Sequence, residues 1–265
     1  MNNNFIKIYE SNVMAGQIGL RYNNYIPWLK VKDVKSCAVK SRIYSQRFGR
    51  MFHLLSHGEV MAFYQYEWDD SITELREQFP LDPKITIQIC DDLKVLHPGY
   101  TQGGSVMTTD FVITRKGKRI GEEIYSAVQI KNNLSAINKP RTYTKLEIEH
   151  IYWQRKGIPW KIVLSESFNK VFCRNLEFLY PIRNTNFNQE FLSELRNNLR
   201  VYLKYEEYRP QDFYNQSISI QSQPIGITEG INILCAKKIW QFNIRDIPYH
   251  QCRMSDFKEA LYANE

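Results

Sequence analysis

The chain has 265 residues, 43% hydrophobic and 24% charged, a balance that excludes a disordered or low-complexity polypeptide. Lys and Arg number 35 against 28 Asp and Glu, and the formal charge of +7 favours a polyanionic partner such as nucleic acid. No apolar run reaches the ~18 residues of a membrane span, and no basic patch leads into an apolar stretch at the N-terminus, so neither a membrane anchor nor a signal peptide is expected. Five cysteines, at 37, 90, 173, 235 and 252, are odd in number and lack zinc-pair spacing. Buried thiols in a reducing, cytoplasmic compartment are expected.

Charge is unevenly spread. Residues 1–50 hold nine Lys/Arg against Glu10 and Asp33, residues 51–100 hold nine Asp/Glu against three basic residues, and 101–200 are basic again. A carboxylate block between basic ones suits a metal-dependent enzyme acting on nucleic acid, although charges scattered over a solvated surface would give the same totals.

In chain order, Arg42 to Leu55 reads as a hairpin turning at Gln46–Gly49. A helix follows from Ser56, with Ser56 and Glu59 at capping-box spacing and Val60, Phe63 and Tyr64 as its apolar stripe, ending near Trp68 to Ser71. Ile72 to Leu81 alternates as a strand stopped by Pro80 and Pro83. Met107 to Thr114 and Ile124 to Lys131 are two more strands, separated by a turn at Lys116-Gly117-Lys118. Thr142 to Lys156 is a helix closed by Gly157, and Ile158 to Leu164 a further strand. This order implies a mixed sheet with helices against it. A boundary falls near Leu164 to Phe168. Beyond it the chain reads helical over Phe168–Tyr180 and Gln189–Glu207, irregular over Arg209–Ile227, helical over Thr228–Lys238 and extended over Ile239–Ile244. Helices followed by a strand are compatible with a winged helix.

Four side chains could carry chemistry. Asp110 sits in the middle of an apolar strand, where an unpaired carboxylate is costly to desolvate. Gln129 and Lys131 share one strand face. Glu59 opens a helix. Carboxylate oxygens from Asp110 and Glu59, the Gln129 amide oxygen and the Ile130 backbone carbonyl form a hard-donor set for Mg²⁺. Lys131 would orient the attacking water or stabilise charge on the phosphate. Each has a plainer role: Glu59 as the N3 partner of Ser56, Asp110 and Lys131 as a buried ion pair, Gln129 as an ordinary strand residue.

Over Tyr25 to about Glu166 the chain resembles the TnsA family, the endonuclease subunit of heteromeric transposases. The resemblance runs through Tyr25-Ile26-Pro27-Trp28-Leu29, Arg42-Ile43-Tyr44-Ser45, His53-Leu54-Leu55-Ser56, Glu67-Trp68, Arg76-Glu77-Gln78-Phe79-Pro80-Leu81, Met107-Thr108-Thr109-Asp110-Phe111, Gln129-Ile130-Lys131 and Tyr152-Trp153. It implies an α/β, restriction-endonuclease-like catalytic domain over 1–166 and a mostly helical, winged-helix-like domain for partner and DNA contacts over 167–265. It implies catalytic roles for Glu59, Asp110, Gln129 and Lys131, with Gln in place of the usual second carboxylate, and Mg²⁺ (or Mn²⁺), two ions per site, held by Glu59, Asp110, Gln129 and the Ile130 carbonyl. It further implies cleavage at the 5′ ends of a mobile element, an integrase-type recombinase partner (TnsB-like), a regulatory ATPase (TnsC-like) and association with the bacterial nucleoid once assembled. With Gln129 neutral, cation affinity of the free subunit should be weak.

Glu149, on the helix after the Lys131 strand, is a supporting candidate, with Arg141 or Lys145 as its expected partner. The basic segment supplies candidate phosphate contacts in Lys30, Lys32, Lys35, Lys40, Arg42, Arg47 and Arg50, with Tyr25 and Trp28 packing beside them. Two rival readings stand beside the transposase subunit: a stand-alone restriction-like or structure-specific nuclease, and a non-catalytic DNA-binding scaffold subunit.

Overall fold

The computed structural model describes residues 4–34, 39–98 and 105–260; Lys35 and Cys37 lie outside them. The chain divides into two compact units, Met1–Phe168 and Asn169–Glu265.

The first unit begins with α1 (Asn4–Met14), which the sequence pattern did not announce. The expected hairpin follows as β1 (Ser41–Ser45) and β2 (Arg50–Leu54), turning through Gly49 in the left-handed region (φ +64°). Next come α2 (His57–Trp68), β3 (Ile72–Pro80), α3 (Pro83–Leu93), β4 (Thr108–Lys116), β5 (Glu123–Lys131), the short α4 (Leu134–Ile137), α5 (Pro140–Arg155) and β6 (Trp160–Leu164). Pro83, expected only to stop a strand, is the first residue of α3, where its missing N–H costs nothing, and the Asp82 side chain caps that helix through the Lys84 N–H. The strand order is β3-β4-β5-β6, antiparallel except for the parallel β5–β6 pair. Such a mixed sheet fits the restriction-endonuclease-like expectation.

The sheet is covered on both faces. On one, Leu81, just past β3, and Ile89, Ile148 and Trp153 of α3 and α5 pack on Val112 and Ala127. On the other, Phe63 of α2 lies on Phe52 (4.8 Å between centroids) and Tyr66 meets Phe111 edge-on (5.4 Å). Phe52, Phe63 and Phe111 are fully buried, each contributing ~1.5–3 kcal/mol of apolar burial.

Charged groups tie the N-terminal segment to β3. Buried Arg50 pairs with buried Glu77 (2.6 Å) and donates to the Leu75 carbonyl, while the His53 N–H donates to the same Glu77 carboxylate. Arg21 bridges Glu74 and Glu123. Tyr25 packs inward, its hydroxyl donating to the Glu77 carbonyl (2.7 Å).

The second unit holds α6 (Lys170–Arg183), α7 (Gln189–Leu199), a hairpin of β7 (Ser217–Ile220) and β8 (Gln223–Gly226), α8 (Ile227–Ala236) and a two-residue ladder of β9 (Trp240–Gln241) with β10 (Lys258–Glu259). Three expectations change here. The helix expected to Glu207 ends at Leu199 and tightens into a 3₁₀ turn. The stretch expected to be irregular contains the β7–β8 hairpin, and the strand expected over Ile239–Ile244 is two residues long.

Cys90, Cys173, Cys235 and Cys252 are buried free thiols. Among the described residues no helix is long and apolar enough to cross a membrane.

Candidate active site

The site forms where strand alternation fails. Glu77 pairs with Phe111, on the face that meets Tyr66 of α2. Two residues later Phe79 should share that face, since residues i and i+2 do in a regular strand. Instead its ring lies on Trp153 of α5. Its cross-strand partner Thr109 likewise turns to α5, donating to Glu149 and accepting from the Trp153 indole. The reversal passes through Gln78, a buried residue held at φ +47°, and through Asp110, which the pairing register places opposite it. A left-handed backbone inside a strand is uncommon for a residue with a side chain.

Asp110 is anchored from β5. The Ile130 N–H donates to its Oδ2 (2.7 Å), and its own N–H donates to the Gln129 carboxamide oxygen (3.1 Å). Gln129 therefore spends one oxygen lone pair on the β4 backbone and positions Asp110, while the same oxygen keeps a second lone pair. Lys131 Nζ donates to the Ile130 carbonyl (3.1 Å), so the carbonyl proposed as a metal ligand carries the site's ammonium group.

Glu59 arrives from α2. Ser56 caps that helix by accepting from the Glu59 N–H (3.2 Å) and donates through its hydroxyl to Glu59 Oε1 (2.9 Å). The other oxygen, Oε2, accepts from the Leu55 N–H (2.9 Å). The capping role read from the sequence is real, and it aims the carboxylate. Close approach of α2 depends on Gly58: a Cβ there would lie 2.9 Å from Ile130 Cγ2 and 2.9 Å from Ser165 Cβ.

Gln78 joins the two carboxylates. Its Nε2 donates to Glu59 Oε2 (3.1 Å) and Asp110 Oδ1 (3.4 Å), while its Oε1 accepts from the Thr108 hydroxyl (3.1 Å). Sequence reasoning did not single out Gln78. The only trace was a charged Glu77 interrupting the apolar positions 75, 79 and 81.

Burial governs the electrostatics. Desolvation, then the neighbouring Asp110 charge, pushes the Glu59 carboxyl up to about 8. Asp110 is also raised by desolvation, against the opposing pull of Lys131 and the Ile130 N–H. Two carboxylates that converge on one donor and resist joint ionisation fit a divalent cation, which would let both ionise. Among the described residues no cluster of three or more His, Cys, Asp and Glu could hold a metal ion, so a cation here would need neutral oxygens beside this pair.

Glu149 lies beyond Thr109. It accepts from the Thr109 hydroxyl (2.7 Å) and the Trp160 indole (2.9 Å), rather than pairing with Arg141 or Lys145. Burial pushes it up to about 8.

The basic segment is partly consumed by structure. Arg50 is buried in its pair with Glu77, Arg47 donates to the Glu67, Asp69 and Ile72 carbonyls, and Lys40 donates to the Val34 carbonyl. Arg47 and Arg50 thus leave the candidate phosphate contacts, because their guanidinium groups face the interior. Lys32 and Arg42 are exposed and Lys30 is half-buried.

A mixed α/β sheet with a buried carboxylate pair at its bend and a lysine on the adjoining strand fits a restriction-endonuclease-like domain. The model of the TnsA-like endonuclease N-terminal family matches residues 69–165, which include Asp110, Gln129, Lys131 and Glu149 but not Glu59. Transposon Tn7 transposition protein TnsA of Escherichia coli is 41% identical over 172 residues, 65% of this chain and 62% of that protein. The chain is thus similar to TnsA proteins over this stretch, and it aligns with less than two thirds of that relative's length.

Proposed function

We propose that this protein is the DNA endonuclease subunit of a heteromeric transposase, hydrolysing phosphodiester bonds at the 5′ ends of a mobile element. One observation carries the reading: Glu59 and Asp110, from separate elements, each aim one carboxylate oxygen at the Gln78 carboxamide, and Asp110 lies within the TnsA-like stretch. Glu59, Asp110, Gln129 and the Ile130 carbonyl would hold Mg²⁺ or Mn²⁺, with Gln129 also setting the orientation of Asp110. A bound divalent ion supplies Lewis-acid polarisation of the phosphate and an acidified water. Lys131, beside the Ile130 carbonyl, stabilises negative charge developing on the phosphate. Lys30, Lys32 and Arg42 supply a salt-dependent hold on the DNA backbone.

This chain is proposed to act in the cytoplasm, and the partners proposed by family resemblance are an integrase-type recombinase and a regulatory ATPase, with the DNA of the element's ends. The second unit, with three helices and two small antiparallel ladders, is proposed as the winged-helix-like module that docks partners or DNA.

The test is strand-specific mapping of cleavage on DNA carrying the element's ends, with Mg²⁺, with and without the recombinase, for the wild type and Asp110→Ala. Cuts at 5′ ends that need both partner and Asp110 are expected. Cuts by the chain alone would indicate a stand-alone nuclease. Equal cutting by both chains would assign Asp110 a structural role and the activity to another protein.

A further inference from the structure

Gln78 has no task in phosphodiester hydrolysis, yet its placement is among the most constrained at the site. It is buried, its backbone is left-handed in mid-strand, and its carbonyl accepts from the Trp28 N–H (3.1 Å). The Thr108 hydroxyl on its Oε1 turns the carboxamide so that its N–H groups face the acids. Glu59 Oε1 is engaged by the Ser56 hydroxyl, Glu59 Oε2 by the Leu55 N–H and Asp110 Oδ2 by the Ile130 N–H. Glu59 Oε2, which accepts the Leu55 N–H through one lone pair, and Asp110 Oδ1 are the oxygens that face a common point, where a shared cation would sit, and Gln78 Nε2 donates to both.

We propose that the Gln78 carboxamide is a built-in placeholder for the cation. Its N–H groups hold the seat between Glu59 and Asp110 in the metal-free chain and must turn away for a divalent ion to occupy it. This rests on the metal-dependent nuclease reading and adds a gate to it. The amide brings two partial positive charges to a pair of carboxylates that would otherwise repel each other, which keeps them converged. It brings no full charge, so a divalent ion displaces it, and the hydrogen bonds lost in the exchange lower the apparent metal affinity. Weak loading of the free subunit would then arise from Gln78 as well as from the neutral Gln129.

Mn²⁺ binding to the full chain, read from the electron paramagnetic resonance of the free ion, tests this in wild type, Gln78→Met and Asp110→Asn. Methionine keeps the length of the side chain and removes both donors. Asp110→Asn should abolish the site, and Gln78→Met should bind about tenfold more tightly than wild type, the scale of one net hydrogen bond to a charged group. A folded Gln78→Met chain that binds no more tightly overturns the placeholder. If Gln78→Met does not fold, side-chain amide exchange in the ¹⁵N-labelled wild type decides. Faster solvent exchange of the Gln78 NH₂ on adding Mg²⁺ supports release, and unchanged or slower exchange overturns it. Mn²⁺ binding that is absent, or indifferent to Asp110→Asn, removes the metal site itself and the placeholder with it, an outcome distinct from the other two.

Discussion

Two buried acidic sites lie on either side of one bend in the sheet, and they handle the same problem differently. Glu149 sits among neutral donors, the Thr109 hydroxyl and the Trp160 indole, with no carboxylate hydrogen-bonded alongside it. Both donors favour its charged form, and burial outweighs them, holding it protonated up to about 8. Glu59 and Asp110 instead share a single donor, Gln78, and each raises the cost of ionising the other. Burial alone makes a carboxyl group neutral. Crowding two of them around one point makes a place for a cation.

The largest expected effect separates the two sites by activity. Asp110→Asn should lower 5′-end cleavage by roughly 100-fold or more, the scale for groups touching charge that develops in the reaction. Its melting temperature should be no lower than wild type, since the change removes a crowded acid. Equal loss from Glu149→Gln would break the comparison by making Glu149 part of the chemistry.

The second effect is on stability. A carboxyl whose folded value is raised from 4.5 to about 8 favours folding fully below the unfolded value, and that contribution is lost as pH rises toward 8. Wild type should lose up to about 1.4 kcal/mol per pH unit from this group across that window. Glu149→Gln, neutral throughout, should flatten the slope in urea titrations between pH 5 and 8. An unchanged slope would show that Glu149 is not the titrating group.

Smaller effects probe the supports. Gly58→Ala would force a methyl against Ile130 and Ser165, costing up to about 3 kcal/mol and moving Glu59 away from Asp110, so melting temperature and cleavage should fall together. Thr109→Val leaves Glu149 with the Trp160 indole as its donor and Trp153 without an acceptor, at about 1–2 kcal/mol, with cleavage less affected. A cleavage loss larger than that of Gly58→Ala would place Thr109, and the α5 side with it, in the active site.

Most of the first unit was legible because local and tertiary signals agree there. Ser56 and Glu59 marked the start of α2, and β-branched alternation marked β5. The fate of Pro83 was misread because a residue that ends a strand also starts a helix. The β7–β8 hairpin left no glycine signature: its turn places Gln221 and Ser222 at φ +48° and +64°, positions where Asn or Gly usually advertises the bend. Glu59, Asp110, Gln129 and Lys131 could be named from residue type and spacing, and the structure gathers them at one point. The hydrogen bond of Gln129 to the Asp110 backbone could not be read, because alternation assigns a face but not a partner. Gln78 was invisible for a deeper reason: its role follows from a backbone angle that no local propensity favours and that its surroundings impose.

The ionic ties of β3 bear on what counts as a separable piece of this protein. The stretch that family similarity picks out begins at residue 69, yet buried Glu77 within it is neutralised by Arg50 and Glu74 by Arg21, both upstream. Excised at that boundary, the stretch would carry a buried Glu77 that had lost Arg50 and a Glu74 left with the longer contact to Arg76 (3.8 Å), along with a Phe111 stripped of Tyr66. The recognisable core is thus shorter than the inheritable one, and the hairpin and helix ahead of it travel with it as a condition of its folding.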